Sequence, residues 1–281
     1  MIFSYNMDLH HLKNLSDSFS RTEKMPVLFV GHGSPMNAIE ENVFVQGFRN
    51  AAKNLPVPNA ILCISAHWYT EGTYLTSGET QKTIHDFYGF PQELFNVQYT
   101  PKGAPDLAQE ASQLLLPVDG VLTESWGLDH GAWSVLRHMY PEADIPVIQM
   151  SIDYRKSPQW HFELANQLQT LREKGVLIIG SGNIVHNLRL IDWKNIDTVG
   201  AGWDWAIEAR EKTNDWLLNG NFQSLIDYQQ QGSAIQHAVP SPDHYLPLIY
   251  SLGLKNKSEE LTLFNDELIG GSLSMTSVRI G

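Results

Sequence analysis

Four of the 11 histidines stand where metal chemistry is built. They are His32 in Pro26-Val-Leu-Phe-Val-Gly-His-Gly-Ser-Pro35, His67 in Ala60-Ile-Leu-Cys-Ile-Ser-Ala-His-Trp68, His186 in Gly180-Ser-Gly-Asn-Ile-Val-His-Asn187, and His244 in Pro242-Asp-His-Tyr-Leu-Pro247. Neutral imidazole is the commonest side-chain ligand of transition metals. His32 and His67 each follow a continuous apolar run, have small residues beside them, and sit on no periodic helix face. The glycines flanking His32 permit backbone angles closed to other residues. These two read either as ligands or as structural histidines, metal-site motifs being easily matched by accident. His186 reads either as a ligand or as an acid/base. His244 opens the apolar stretch Tyr245-Leu-Pro-Leu-Ile-Tyr250, so it reads either as a ligand or as an ordinary histidine at a helix N-terminus.

Two further histidines have informative neighbours. His130 lies in Gly127-Leu-Asp-His-Gly-Ala-Trp133, where Asp129 either tunes it or caps the following helix. His85 lies in the aromatic stretch Thr83-Ile-His-Asp-Phe-Tyr-Gly-Phe90. Rings flanking a histidine suit a planar substrate that stacks and donates hydroxyl hydrogen bonds. His10, His11, His138, His161 and His237 read as ordinary structural or solvated side chains. Gly180-Ser-Gly182 is only a weak phosphate-loop signal, because no Gly-Lys-Ser/Thr follows.

The elements that would carry these residues follow from apolar patterning. Continuous Val/Ile/Leu/Phe runs predict strands buried on both faces over 26–31, 59–65, 146–151 and 176–180, with a further strand over 73–77. Helices are expected over 41–54, 105–116, 130–139, 158–174, 202–219 and 222–231. Pro105 and Ser157-Pro158 are helix-start signals. The tail segments 261–265 and 272–279 read as an antiparallel edge. The fold expected is a single α/β domain, with a mostly parallel central sheet, helices on both faces and a few extra antiparallel strands. In such sheets, ligands bind beyond the carboxyl ends of the strands, which is where His32 and His67 would converge. Segment 78–103 is long and rich in Gly, Pro and aromatic residues, the composition of a binding loop or lid. Residues 1–24 read as a poorly ordered N-terminal extension to a domain over 25–281.

Bulk properties exclude several classes. A formal net charge of −12 argues against nucleic acid or an anionic membrane as the partner, since both need clustered Lys and Arg. The single cysteine, Cys63, excludes an intrachain disulfide and a Cys-rich metal site, and it reads as a buried, inert thiol. No stretch approaches the ~20 apolar residues of a membrane span, and the first residues lack an apolar secretory core. A cytoplasmic location is the default expectation. The sequence leaves the oligomeric state open.

Taken in order, the motifs resemble the class III extradiol ring-cleavage dioxygenases (the LigB superfamily), and within it the 4,5-DOPA dioxygenase branch. The segments that carry the resemblance are Gly31-His-Gly-Ser-Pro-Met36, Ser65-Ala-His-Trp68, Thr83-Ile-His-Asp-Phe87 with Gly89-Phe-Pro91, Gly127-Leu-Asp-His-Gly131, Gln149-Met-Ser-Ile-Asp153, Gly180 to Asn187, His244-Tyr-Leu-Pro-Leu248 and Gly271-Ser-Leu-Ser-Met275. The resemblance implies a non-haem Fe(II) enzyme that opens a catechol ring beside its hydroxyls with O₂, of DOPA-like 4,5-cleavage type. Its partners would be a small catecholic substrate and O₂. It puts metal ligands at His32 and His67. The family's glutamate position falls on His244, which gives three histidines, a set that also suits Zn(II). Fe(II) is expected for activity and Zn(II) in the purified protein. The acid/base histidines fall on His186 and His130, with His186 a possible fourth ligand in the resting state. Ser34, Trp68, His85, Tyr88 and Trp126 are the candidate substrate-binding side chains. The alternative on the same fold is a zinc-dependent hydrolase.

Overall fold

Strands that are apolar at every position must be covered on both sides, and that requirement shapes the architecture. The computed structural model describes residues 22–281. The expectation for residues 1–24 therefore falls mostly outside the described residues, as do His10 and His11. In chain order the elements are β1 (Val27–Gly31), α1 (Val43–Lys53), β2 (Ala60–Thr70), β3 (Thr73–Thr76), α2 (Gln92–Phe95), α3 (Pro105–Leu114), β4 (Gly120–Thr123), α4 (His130–Met139), β5 (Val147–Asp153), α5 (Pro158–Asn166), α6 (Gln169–Arg172), β6 (Val176–Gly182), α7 (Asp204–Leu218), α8 (Phe222–Ile226), α9 (Ser233–Ala238), α10 (Leu246–Gly253), β7 (Leu261–Phe264), β8 (Leu268–Ile269), β9 (Leu273–Ser274) and β10 (Ser277–Ile280).

Among the described residues the main sheet has eight strands in the order β4-β3-β5-β2-β6-β1-β10-β7, and β8 and β9 form a small antiparallel pair. Its centre is parallel: β2 pairs with β5 and β6, and β6 pairs with β1. The antiparallel pairings are those of β10 with β1 and β7, and of β3 with β5. Alternate strand residues serve two cores. Phe29, Leu62, Ile64, Ile148 and Ile178 pack on one face with residues of α3 and α5–α10. Leu28, Val30, Ile61, Cys63, Leu177 and Ile179 pack on the other with α1 and α4. Period-2 alternation divides an all-apolar strand between two helical layers. Cys63 is buried, as expected.

Several expected boundaries are corrected. β2 does not stop at 65 but continues to Thr70, with its register against β5 shifting between Ile64 and Tyr69. His67 therefore lies inside a strand irregularity, not in a loop beyond a strand. Trp68, Tyr69 and Thr70 favour extended backbone, and a bulge redirects the side chains that it carries. The helix expected over 158–174 is interrupted at Gln167-Leu168, and that over 222–231 ends in a 3₁₀ turn at Tyr228–Gln230. The segment 272–279 divides into β9 and β10, which belong to different sheets. β4, α2, α9 and α10 carry too few residues to give a strong periodic signal. His138, His161 and His237 have the ordinary roles expected: their rings bind the Asn37 carbonyl, the Tyr250 hydroxyl and the Ser233 carbonyl. No helix among the described residues is long and apolar enough to cross a membrane.

Candidate metal centre

Parallel register brings the strand ends together. Gly31 and Gly182 are partners at the ends of β1 and β6, and the His32 N–H continues the ladder by donating to the Gly182 carbonyl at 3.0 Å. The β2 irregularity delivers His67, the N-terminus of α4 delivers His130, and the turn into α10 delivers His244. Asn183 N–H, just past β6, donates to the His244 carbonyl at 2.9 Å. Five imidazoles meet. Ring centroids lie 5.0 Å apart for His32 and His67, 5.3 Å for His32 and His244, 4.8 Å for His67 and His244, and 3.8 Å for His67 and His130. His186 stacks on His244 at 3.5 Å, with planes 6° apart.

Hydrogen-bond partners set the tautomers. Ser181 Oγ donates its one hydrogen to the Gly131 carbonyl at 2.6 Å, so it accepts from His32 Nδ1 at 2.9 Å. His67 Nδ1 lies 3.2 Å from Asp86 Oδ2, and His244 Nδ1 donates to the Asp243 carboxylate. His32 and His244 thus carry the proton on Nδ1 and leave Nε2 bare, the arrangement in which carboxylate or hydroxyl partners orient metal-binding histidines. His67 turns Nδ1 to a carboxylate at ion-pair distance, which favours the same tautomer. The bare Nε2 atoms of His32 and His67 are 3.2 Å apart. Two lone pairs at that separation repel unless a proton or a metal cation lies between them. Nitrogens about 2.1 Å from one ion, at an angle of about 100°, span about this distance.

More nitrogen is present than one ion needs. Ligand atoms of His32, His67 and His130 fall within 4.8 Å of one another, and those of His186, Asp243 and His244 form a second such group. The expected trio of His32, His67 and His244 draws on both groups.

Burial, with repulsion from neighbouring histidines, keeps His32, His67, His186 and His244 neutral. His32 and His244 are held well below the usual imidazole range, by burial first and then by neighbouring histidines. His67 is lowered to about 3 by burial and His130, with Asp86 opposing. His186 is lowered to about 4 by burial, with Asp243 opposing. Burial pulls Asp86 upward, but its hydrogen bond and charge interaction with His130 bring it below the usual carboxylate value. The sign for stability follows. Between pH ~6.5 and ~4 the unfolded chain binds protons on these histidines that the metal-free folded chain refuses, so stability falls as pH falls. Thermal melts of metal-free protein should drop steadily through that window. A flat melting temperature from pH 6.5 to 4.5 would contradict the burial of neutral imidazoles.

Gly131 makes the close approach possible. A Cβ there would stand 2.6 Å from Ser65 Oγ, 2.9 Å from His67 Cδ2 and 3.2 Å from His32 Cε1. Gly131→Ala should therefore displace both rings and lower metal affinity at least ~10-fold, the cost typical of disturbing the support around a ligand. A metal titration with unchanged affinity would show that the rings yield without losing the site.

The other sequence candidates divide. Asp129 caps α4 through Ala132 N–H at 3.2 Å and accepts from Ser65 Oγ at 2.6 Å and from Gln149 Nε2. Of its two expected roles it takes the capping one, and Asp86 is the carboxylate on the His130 ring. Trp68 is buried and stacks on Trp126 at 5.7 Å, and the Trp126 indole N–H is buried without a partner. Three expected substrate contacts are otherwise employed. Ser34 Oγ accepts from Met36 N–H at a 3₁₀ turn. His85 Nε2 lies 3.0 Å from the Val97 carbonyl. Tyr88 is 92 % exposed and is not brought to the histidines. Segment 78–103, expected as a binding loop or lid, is pinned near its middle. Ile84 N–H donates to the Leu128 carbonyl at 2.8 Å, and Trp133 Nε1 donates to the Ile84 carbonyl at 2.9 Å.

Asp86, Asp243 and Ser181 were missed. Asp243 had a readable signal, since it adjoins His244 and carboxylates commonly orient metal-binding imidazoles. Asp86 had none, because the rings it meets, His67 and His130, are distant from it in the chain. Ser181 had none, because it reaches His32 only across the β1–β6 pairing.

Comparisons with known proteins agree with this geometry. Residues 25–272 match the family model described as the catalytic LigB subunit of aromatic ring-opening dioxygenase. A protein of Escherichia coli K12 named 4,5-DOPA dioxygenase extradiol is 43% identical over 270 residues, 95% of this chain and 98% of its own length. A protein of Beta vulgaris with the same name is 34% identical over 258 residues, 89% of this chain and 94% of its own. A crystal structure of an uncharacterized protein from Escherichia coli K12 superposes with a TM-score of 0.79 at 39% identity, covering 92% of this chain and 100% of that one.

Proposed function

The chain belongs to the LigB family of aromatic ring-opening dioxygenases and is an extradiol dioxygenase; on that premise we propose that it opens a DOPA-like catechol at the 4,5 bond with O₂, on a divalent metal held by His32, His67 and His244. The observation that carries this reading is the common tautomer of the three rings. Each turns Nδ1 to an oxygen partner, by a hydrogen bond for His32 and His244 and at ion-pair distance for His67, which favours a bare Nε2. The donor set fits a borderline metal, Fe(II) or Zn(II). When bound, the metal acidifies a coordinating hydroxyl and supplies the redox centre for oxygen.

The chain's own residues do the rest. His186, neutral at pH 7 and stacked beside His244, accepts the proton of the second catechol hydroxyl; it also lies near enough to serve as a fourth ligand when substrate is absent. His130 has its Nδ1 on Asp86 and so exchanges protons at Nε2. General base and acid groups placed this way contribute about 10²–10⁴-fold. The stacked Trp68 and Trp126 offer an aromatic wall to a planar ring.

All-nitrogen sites take Zn(II) ahead of Fe(II) under the Irving–Williams order, so protein as purified should carry zinc and turn over poorly. Anaerobic loading with Fe(II), followed by L-DOPA and air, should then give a yellow ring-opened product with matching O₂ uptake. No product with Fe(II), together with Zn(II)-dependent ester cleavage, would replace this reading with a hydrolase.

A further inference from the structure

Asp86 is the one carboxylate among the described residues within ion-pair distance of two of the clustered histidines. Its Oδ2 lies 3.0 Å from His130 Nδ1 and 3.2 Å from His67 Nδ1. Its Oδ1 accepts the His130 backbone N–H at 2.9 Å, at the start of α4. A carboxylate has only acceptor sites, so His130 donates to it from Nδ1, and a bare His67 Nδ1 at 3.2 Å from the same oxygen would be repelled, which favours the proton there. The bare atom is then Nε2 in both rings. For His67 that is the atom facing His32 Nε2. For His130 it is the atom free to take a proton.

We propose that Asp86 is a positioning residue that sets the tautomers of His67 and His130 together, tying the metal ligand and the proton acceptor to one carboxylate oxygen. The assignment rests on the roles given above to those histidines. The surrounding chain holds the aspartate firmly enough to do this. On its N-terminal side Ile84 is bonded through both backbone groups, to the Leu128 carbonyl and the Trp133 indole. His85 is tied to the Val97 carbonyl, and on the C-terminal side Phe87 packs against His130, Phe95 and Trp133. The pinned strap therefore delivers a fixed acceptor to rings carried by β2 and α4.

The sharing has a consequence that loop anchoring alone lacks. Asn in place of Asp86 offers one acceptor oxygen and one N–H₂ donor. It can satisfy one Nδ1–H, but it presents a donor to the other ring. One ring must then move its proton to Nε2 or lose its partner.

The test is side-chain ¹H–¹⁵N NMR of the Zn(II)-loaded protein, with a Zn(II) titration beside it. Wild-type protein should show Nδ1–H and no Nε2–H for both His67 and His130. In Asp86→Asn at least one of these rings should carry Nε2–H, Zn(II) affinity should fall about 10–100-fold, and remote His161 should be unchanged. Asp86→Glu, which restores a carboxylate, should return both rings to Nδ1–H. Unchanged tautomers with Zn(II) affinity within about twofold of wild type in Asp86→Asn would overturn the proposal and leave Asp86 as a loop anchor. Should that variant not fold, the wild-type spectrum decides, because Nε2–H on either ring refutes the assignment. Neither readout needs ring cleavage, so failure here is separable from failure of the proposed reaction.

Discussion

His244→Ala should leave a folded protein that retains no stoichiometric metal after dialysis and no longer opens a catechol ring. The fold should survive because the His244 backbone, not its side chain, holds the junction with β6: its carbonyl accepts the Asn183 N–H. Asp243 loses its ring partner but is partly exposed, so water can take that place. The metal site fares worse. One of three nitrogens goes, and with it the ring on which His186 stacks. His32 and His67 alone are too few for a lasting site, since catalytic centres of this kind keep three protein ligands, and His186 loses the ring it is packed against. Metal analysis after dialysis, with circular dichroism as the folding control, reads the result. Full metal retention would move the ion to the group formed by His32, His67 and His130.

His186→Gln should lower kcat about 10²-fold or more, while catechol still binds and metal content is unchanged. Glutamine keeps the polarity and much of the bulk, but it cannot accept and release a proton. In the wild-type protein burial holds His186 neutral at pH 7, despite the opposing charge of Asp243. The neutral ring has a lone pair to accept a proton, and the Asp243 charge would favour the protonated form once it is made. Turnover within about threefold of wild type would assign the base role to His130, whose Nε2 is also bare.

Much of this site was legible because its signals are local. His32 immediately follows the β1 run, and His186 lies just past the β6 run, so placement beyond a parallel strand could be read from a few consecutive residues. The Ser157 and Pro158 start signal, and the capping position of Asp129, are equally local. His85 and Tyr88 were placed by composition alone. An aromatic loop reads as a substrate surface by composition, but only packing decides which side chains turn inward. There the side chain of Asp86 reaches the cluster, while Tyr88 faces solvent.

The sequence by itself determined the two-faced parallel sheet and marked the histidines that the fold brings together, because hydrophobic periodicity and residue type act over a few neighbours. The tertiary structure alone decided which partner each imidazole meets. Ser181 reaches His32 across 149 residues, and Asp86 reaches His130 across 44. It also decided that β2 runs on through His67, and that residue 131 has no room for a side chain. These contacts depend on strand order, register and close approach between elements distant in the chain. A hydrogen bond formed only when β1 lies beside β6, or when a loop is drawn across the strand ends, leaves no mark in either local sequence.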